Sequence, residues 1–218
     1  MSSDITIYFV RHGESVANLS DRNGDKRPDD ADRLSEFGWE QARSLGRRLQ
    51  NEGLEVIVAS PMTRAQETAQ GIAEVIGLPI ETDEDLFEVR QSDAFYSSLP
   101  NGAEHASLAW MPGAPPDETR PGAESFAEIV ARIGRARDRL DALEAERALV
   151  VSHYGVVHFM LGLVMFGDDF APAHVPGLYR LGHANTGISI FTRHAERVLD
   201  GIPLRGWVLT TWNDRAHL

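Results

Sequence analysis

The sequence predicts an α/β fold, a three-layer α/β/α arrangement around a mostly parallel central sheet. Three observations carry that expectation. Residues 5–10, 54–59 and 148–152 are short apolar runs rich in β-branched side chains, the signature of buried strands. Each is followed, directly or after a polar stretch, by a segment whose apolar residues recur at helical spacing. Two of the three runs end in reactive side chains, Arg11-His12-Gly13 and Ser152-His153. Strands alternating with helices imply parallel pairing, and an open α/β sheet keeps its ligand chemistry at the carboxyl ends of its strands.

Composition narrows the class of function. At 218 residues and 24.1 kDa the chain is read as a single domain over 1–218, large enough for a substantial core. Hydrophobic residues at 42% and charged residues at 25% suit a globular protein. A formal net charge of -12 argues against nucleic acid or an anionic membrane as partner. With no cysteine, disulfides, thiol catalysis and cysteine metal sites are excluded. Neither a basic-then-apolar leader nor a run long enough to span a membrane is seen, so a cytoplasmic location is expected.

The elements follow in order. After the opening motif, residues 18–32 are polar with turn signals at Asn23-Gly24-Asp25 and Pro28-Asp29-Asp30, and read as a loop with a solvated acidic surface. Ser35 is placed to cap a helix carrying Ala42, Leu45 and Leu49 on its apolar face and ending near Gly53. Ser60 and Pro61 suit the N-cap and first position of the next helix. Its stripe is Met62, Ala65, Ala69, Ile72 and Ile76, and Gly77 ends it. A short strand at 78–82 precedes Glu88, the one carboxylate of an acidic run with apolar flanks. Residues 90–122 hold five of the 11 prolines together with Tyr96 and Trp110; this segment is read as an insertion that covers the site. Ser125 and Glu128 form a capping box opening a helix to about 145. Another helix spans about 156–166, with late strands at 188–192 and 207–211 after a turn at 183–187.

Arg11, His12, Arg64 and His153 therefore fall on one rim of the sheet. Alone, Arg64 reads as an exposed helix arginine; its place on that rim changes the reading. A guanidinium fork fits phosphate oxygens, and an uncharged imidazole nitrogen is a nucleophile near neutral pH. Two arginines nearby disfavour protonation of His12. His153 adds a donor. Apolar flanks give Glu88 a raised pKa, suiting it to protonate a leaving alcohol.

Four elements taken together, Arg11-His12-Gly13-Glu14-Ser15, Leu34-Ser35 through Gly38 to Gln41-Ala42, Ser60-Pro61-Met62-Thr63-Arg64-Ala65, and Ser152-His153, resemble the histidine phosphatase superfamily, more closely its phosphoglycerate-mutase-like branch. The resemblance covers about 5–92 and 121–192. It implies a metal-independent, cofactor-free, two-step reaction through a phosphohistidine on His12. Arg11, Arg64 and His153 match the phosphate pocket, Asn18 a polar phosphate contact, and Glu88 the proton donor. Ser15 is open between a substrate contact and a turn cap, and Glu14 between a role in the site and the orienting of a neighbouring cation.

Three departures bear on function. Tyr154 stands where the family has a small residue, and is taken to narrow the pocket, to contact substrate, or to point away. Val157-His158 replaces an apolar residue and arginine common in phosphatases. The Glu-Arg-x-Tyr-Gly run of phosphoglycerate mutases is absent, because Glu88 is followed by Val89-Arg90-Gln91-Ser92. The expected activity is that of a histidine acid phosphatase-type enzyme hydrolysing a small phosphorylated metabolite. Alternatives are a phosphoglycerate-type mutase and a non-catalytic phospho-ligand binder. A metal hydrolase is disfavoured, since His153 and His158 are five apart and no i, i+4 histidine pair encloses a glutamate. A homodimer is left open.

Overall fold

The computed structural model describes residues 4–90, 115–118, 122–199 and 202–218. The insertion expected over 90–122 lies almost wholly outside the described residues. A six-stranded sheet carries the fold, with strands β1 (Ile5–Arg11), β2 (Val56–Ala59), β3 (Ile80–Thr82), β4 (Arg147–Ser152), β5 (Ile188–Leu199) and β6 (Ile202–Asp214) in the order β3-β2-β4-β1-β5-β6. The pairs β3–β2, β2–β4 and β4–β1 are parallel; β1–β5 and β5–β6 are antiparallel. Helices are α1 (Val16–Asn23), α2 (Glu36–Leu49), α3 (Thr63–Ile76), α4 (Phe126–Asp141), α5 (Tyr154–Phe166) and the single turn α6 (Val175–Leu178).

Side-chain alternation along the strands divides the core into two layers. Ile5, Ile7, Phe9, Ala148 and Val150 pack with Ile129, Ile133, Val156 and Phe159 of α4 and α5. Tyr8, Val10, Ile57, Leu149 and Val151 face Leu45, Leu49, Ala65, Ala69 and Ile72 of α2 and α3. The three-layer expectation is met on both faces.

Local sequence explains most boundaries. Ser35 caps α2 through Gly38 N–H, and Ser125 with Glu128 closes the capping box of α4. Gly77 takes a left-handed conformation (φ 75°) to end α3. Elsewhere the expectations need correction. Residues 18–32 are not all loop: α1 is held by a capping box of Ser15 and Asn18 and by Gly24 in the left-handed region. These caps act without an apolar stripe, since Ser20 is its one buried residue. The third helix begins at Thr63, and Met62 at its N-cap makes no side-chain cap bond. The Ser60 hydroxyl is instead drawn to a histidine. Helix α4 stops at Asp141, and the late strands are longer than expected and form a hairpin.

The parallel order brings the strand ends together. Arg11 is paired with Ser152 and Ala59 with Val151. Beyond them His12 N–H donates to Ser152 O (2.8 Å) and Ser60 N–H to Val151 O (2.9 Å). The residues that follow three separate strands thus become neighbours.

Candidate active site

His12 is buried at the end of β1. Its Nδ1 lies 2.7 Å from Gly13 O, an atom that only accepts, so Nδ1 carries the proton. Arg64 Nε donates to His12 Nε2 at 3.1 Å, which makes Nε2 the atom with the free electron pair. Burial, then Arg64, then Arg11 push the imidazole well below its usual pKa of 6.5. The neutral tautomer follows from both the geometry and the charges.

The two arginines are held from opposite sides. Arg11 Nη1 donates to His183 O (2.7 Å), its guanidinium stands 5.3 Å from the centre of the Tyr154 ring, and its buried Nε has no partner among the described residues. Arg64 Nη1 is paired with Asp32, whose second carboxylate oxygen accepts from Thr63 N–H at 2.9 Å. Asp32 therefore fixes both the guanidinium of Arg64 and the first turn of α3.

His153 sits between β4 and α5, its ring 5.2 Å from that of His12. Its Nε2 is 2.7 Å from Ser60 Oγ, which also accepts from Met62 N–H (3.3 Å), while the buried Nδ1 is without a partner among the described residues. Burial, with His12 and the arginines, drives this pKa down as well. Glu88 Oε1 accepts from Val89 N–H (2.8 Å) and from Gly155 N–H (3.1 Å) in the first turn of α5. Burial raises its pKa above 4.5, against the pull of Arg64, of Arg11 and of these two amides. A Cβ at Gly155 would meet Glu88 Oε1 at 2.7 Å, so glycine is needed for this approach.

Arg11, His12, Arg64, His153 and Glu88 are thus assembled at one end of the sheet. The remaining expected residues are placed differently. Ser15 is buried and spends its hydroxyl accepting from Asn18 N–H (3.1 Å). Asn18 Oδ1 accepts from Ser15 N–H and from Asn185 Nδ2, each at 3.3 Å. Asn185 Nδ2 also donates to His12 O (2.9 Å), so Asn18 and the histidine share Asn185 as a partner. Of the options for Tyr154, the hydroxyl points away: it donates to Tyr179 O (3.1 Å), and the ring lies beside Arg11. Glu14 is paired with Arg22 and accepts from Ser35 Oγ (2.8 Å). His158 is buried, its nitrogens 2.7 Å from Tyr154 O and 3.1 Å from Leu181 O, which leaves neither available as a ligand. Among the described residues no group of three or more His, Asp or Glu gathers to hold a metal ion.

Sequence reasoning missed Asp32, Ser60 and Asn185. Asp32 is one of five aspartates between 21 and 32, indistinguishable there from a solvated run. Ser60 offered a sufficient local role as a cap, and the turn of Asn185 carried no signal of its long-range partner. Arg132, buried on α4, gave none beyond standing among apolar helix positions.

At the end of an open α/β sheet a neutral histidine, two arginines, a second histidine and a buried carboxyl form the kind of group that suits a phosphoryl ligand. The profile of the histidine phosphatase superfamily (branch 1) matches residues 7–203, and the chain belongs to that family. A protein of Yersinia pestis (strain Pestoides F) named probable phosphoglycerate mutase GpmB is 28% identical over 229 residues, covering 98% of this chain and 95% of that one. Among solved structures, mycobacterial hydrolase 1 superposes with a TM-score of 0.73 at 23% identity, covering 98% of this chain and 100% of that one. A mycobacterial glucosyl-3-phosphoglycerate phosphatase superposes with a TM-score of 0.71 at 23% identity, with coverage of 97% and 100%. No helix among the described residues is long and apolar enough to cross a membrane.

Proposed function

We propose that the protein is a phosphatase that hydrolyses a small phosphomonoester through a phosphohistidine on His12, without a metal. The observation that carries this reading is the state of His12: Nδ1 is committed to Gly13 O, and the electron pair of Nε2 faces the Arg64 guanidinium. In the first step Nε2 attacks phosphorus, the P–N bond forms and the ester P–O bond breaks. Arg64 exchanges its bond to Nε2 for a phosphoryl oxygen. The partnerless Arg11 Nε and His153 Nδ1 supply further donors, the latter protonated when Ser60 donates to Nε2. Glu88, whose pKa burial raises, gives its proton to the leaving oxygen. In the second step the Glu88 carboxylate takes a proton from water, the water oxygen bonds to phosphorus and the P–N bond breaks. Each group acts by position and charge, as phosphoryl transfer requires.

A mutase is the second reading, favoured by the relative named probable phosphoglycerate mutase. One experiment separates the two and tests the nucleophile. The protein is incubated with a phosphoglycerate whose phosphoryl group is labelled; isomer exchange and free phosphate are followed, and the quenched protein is mapped for acid-labile phosphate. The expected result is phosphate release with label on His12, both abolished in His12→Ala. Rapid exchange without release assigns the mutase. Wild-type turnover in His12→Ala overturns the mechanism.

A further inference from the structure

We propose that Arg132 is a positioning residue for Glu88, holding the backbone that aims the carboxyl at the leaving oxygen. The proposal rests on the reading of Glu88 as the proton donor. Arg132 lies on α4, 4% exposed. A buried guanidinium is costly unless every donor is engaged, and here the partners are specific. Arg132 Nη1 donates to two carbonyls, Asp85 O (2.5 Å) and Phe87 O (2.9 Å). Arg132 Nε and Nη2 donate to the two carboxylate oxygens of Glu124 at 2.8 and 2.9 Å. The guanidinium also lies over the Phe87 ring, 3.7 Å from its centre.

These contacts bracket Glu88. Leu86 O, between the two carbonyls held by Arg132, accepts from Ser152 Oγ (2.7 Å), so three successive carbonyls before Glu88 are held by side chains. On the other side Glu124 Oε2 accepts from Arg90 N–H (2.9 Å), and Glu124 N–H donates to Arg90 O (3.0 Å). The chain before Glu88 forms only a short 3₁₀ turn at Glu84–Leu86, with Phe87 extended, and Glu88 N–H itself reaches no more than Met62 Sδ at 3.5 Å among the described residues. No sheet ladder or α-helix fixes the segment. The Arg132–Glu124 pair takes that part, gripping the chain before and after the carboxyl. Among the described residues its guanidinium makes no hydrogen bond to Arg11, His12, Arg64 or His153; its charge reaches His153 directly, and Arg132→Lys keeps that charge, so the loss it produces reports the aim of Glu88.

In the transfer to His12 a positioned acid matters only where the leaving oxygen needs its proton, whereas the water step that follows is the same for every ester. The test therefore compares an alkyl phosphomonoester with p-nitrophenyl phosphate, whose nitrophenolate departs unprotonated, in the wild type, Arg132→Lys and Glu88→Gln. Lysine keeps the charge but cannot reach two carbonyls and both carboxylate oxygens together. General acid catalysis contributes roughly a hundredfold to ten-thousandfold. On that scale Arg132→Lys is expected to lower kcat/KM, which reports transfer to His12 and not the later water step, for the alkyl ester by about tenfold or more, and for the aryl ester by less than about threefold. Equal losses on both esters, or none, overturn the proposal. Glu88→Gln sets the reference: if it treats both esters alike, the Glu88 reading falls and the proposal with it. If Glu88→Gln discriminates and Arg132→Lys does not, the proposal alone falls. Phe87→Leu, which removes the ring under the guanidinium and leaves the ion pair, gives the same comparison where the lysine variant does not fold. It is expected to show the same order of losses, and equal losses overturn the proposal.

Discussion

Burial strips charge from both central groups, and because one is a base and the other an acid the consequences are opposite in sign. For His12 it lowers the pKa below 6.5 and leaves a free electron pair on Nε2. For Glu88 it raises the pKa above 4.5 and so favours the protonated carboxyl. The competent form has His12 neutral and Glu88 protonated. Activity is then lost as pH falls through the pKa of His12, and lost again as pH rises through that of Glu88. A profile of kcat/KM against pH should show an acidic limb below 6.5 and an alkaline limb above 4.5. In Glu88→Gln the alkaline limb should vanish. The second ionisation of the substrate phosphate is common to both enzymes, so the difference between the profiles isolates the carboxyl. An alkaline limb unchanged in the variant would assign it to another group.

At the level of elements, the site depends on how closely α2 approaches the end of β1. Gly13 and Gly38 face one another: a Cβ on Gly13 would lie 2.7 Å from Gly38 O, and one on Gly38 only 2.1 Å from Glu14 O. Around them Ser35 N–H donates to Glu14 O (2.9 Å), Glu14 N–H to Gln41 Oε1 (2.8 Å) and Gly13 N–H to Thr68 Oγ1 (2.9 Å). Gly38→Ala must force backbone apart. Overpacking of this kind costs about 1–3 kcal/mol, which for a chain of this size lowers Tm by several degrees, at about 2–4 °C per kcal/mol. Because the displaced backbone carries His12, kcat should fall as well. Gly134→Ala is the control: it lies inside α4, and beyond that helix's own backbone no atom of the described residues comes within 4 Å of its Cβ position. Helix propensity alone should raise stability there by about 0.5–1 kcal/mol. A Gly38→Ala protein as stable and active as the wild type would sink the close-approach argument.

The same elements show what was legible beforehand. Strand ends and helix starts could be read because apolar period and caps are local, and Arg11, His12, Arg64 and His153 fell on those junctions. Helix α1 was not legible, because its caps are local but Val16, Ala17 and Leu19 are too few to set a helical apolar period over its eight residues. Asp32 and Arg132 act through partners 32 and 45 to 47 residues away. Their meaning depends on which loop lies over which junction, and periodicity does not encode that. Ser60 was legible in the wrong role: a cap satisfied the local pattern, and only the packing of β2 against β4 brings His153 within its reach.

For the whole molecule, the charge balance opposes the chemistry proposed for the site. The chain carries a formal charge of -12, whereas the site presents Arg11 and Arg64, with Asp32 paired to the latter and both histidines held neutral. The attraction is local and the repulsion is long-ranged. The Debye length is about 30 Å at 0.01 M salt and about 8 Å at 0.15 M. At low salt an approaching phosphate dianion therefore feels much of the molecule, and at 0.15 M little beyond the site. Raising sodium chloride over that interval should increase kcat/KM for a dianionic ester by about twofold to threefold, because screening removes the repulsion before it weakens contacts at bonding distance. A monoanionic phosphodiester analogue, measured as a competitive inhibitor, should respond about half as steeply, since the work against the field scales with ligand charge. A kcat/KM that falls steadily across the same interval would mean that the arginines, and not the acidic surface, set the field a substrate meets on approach.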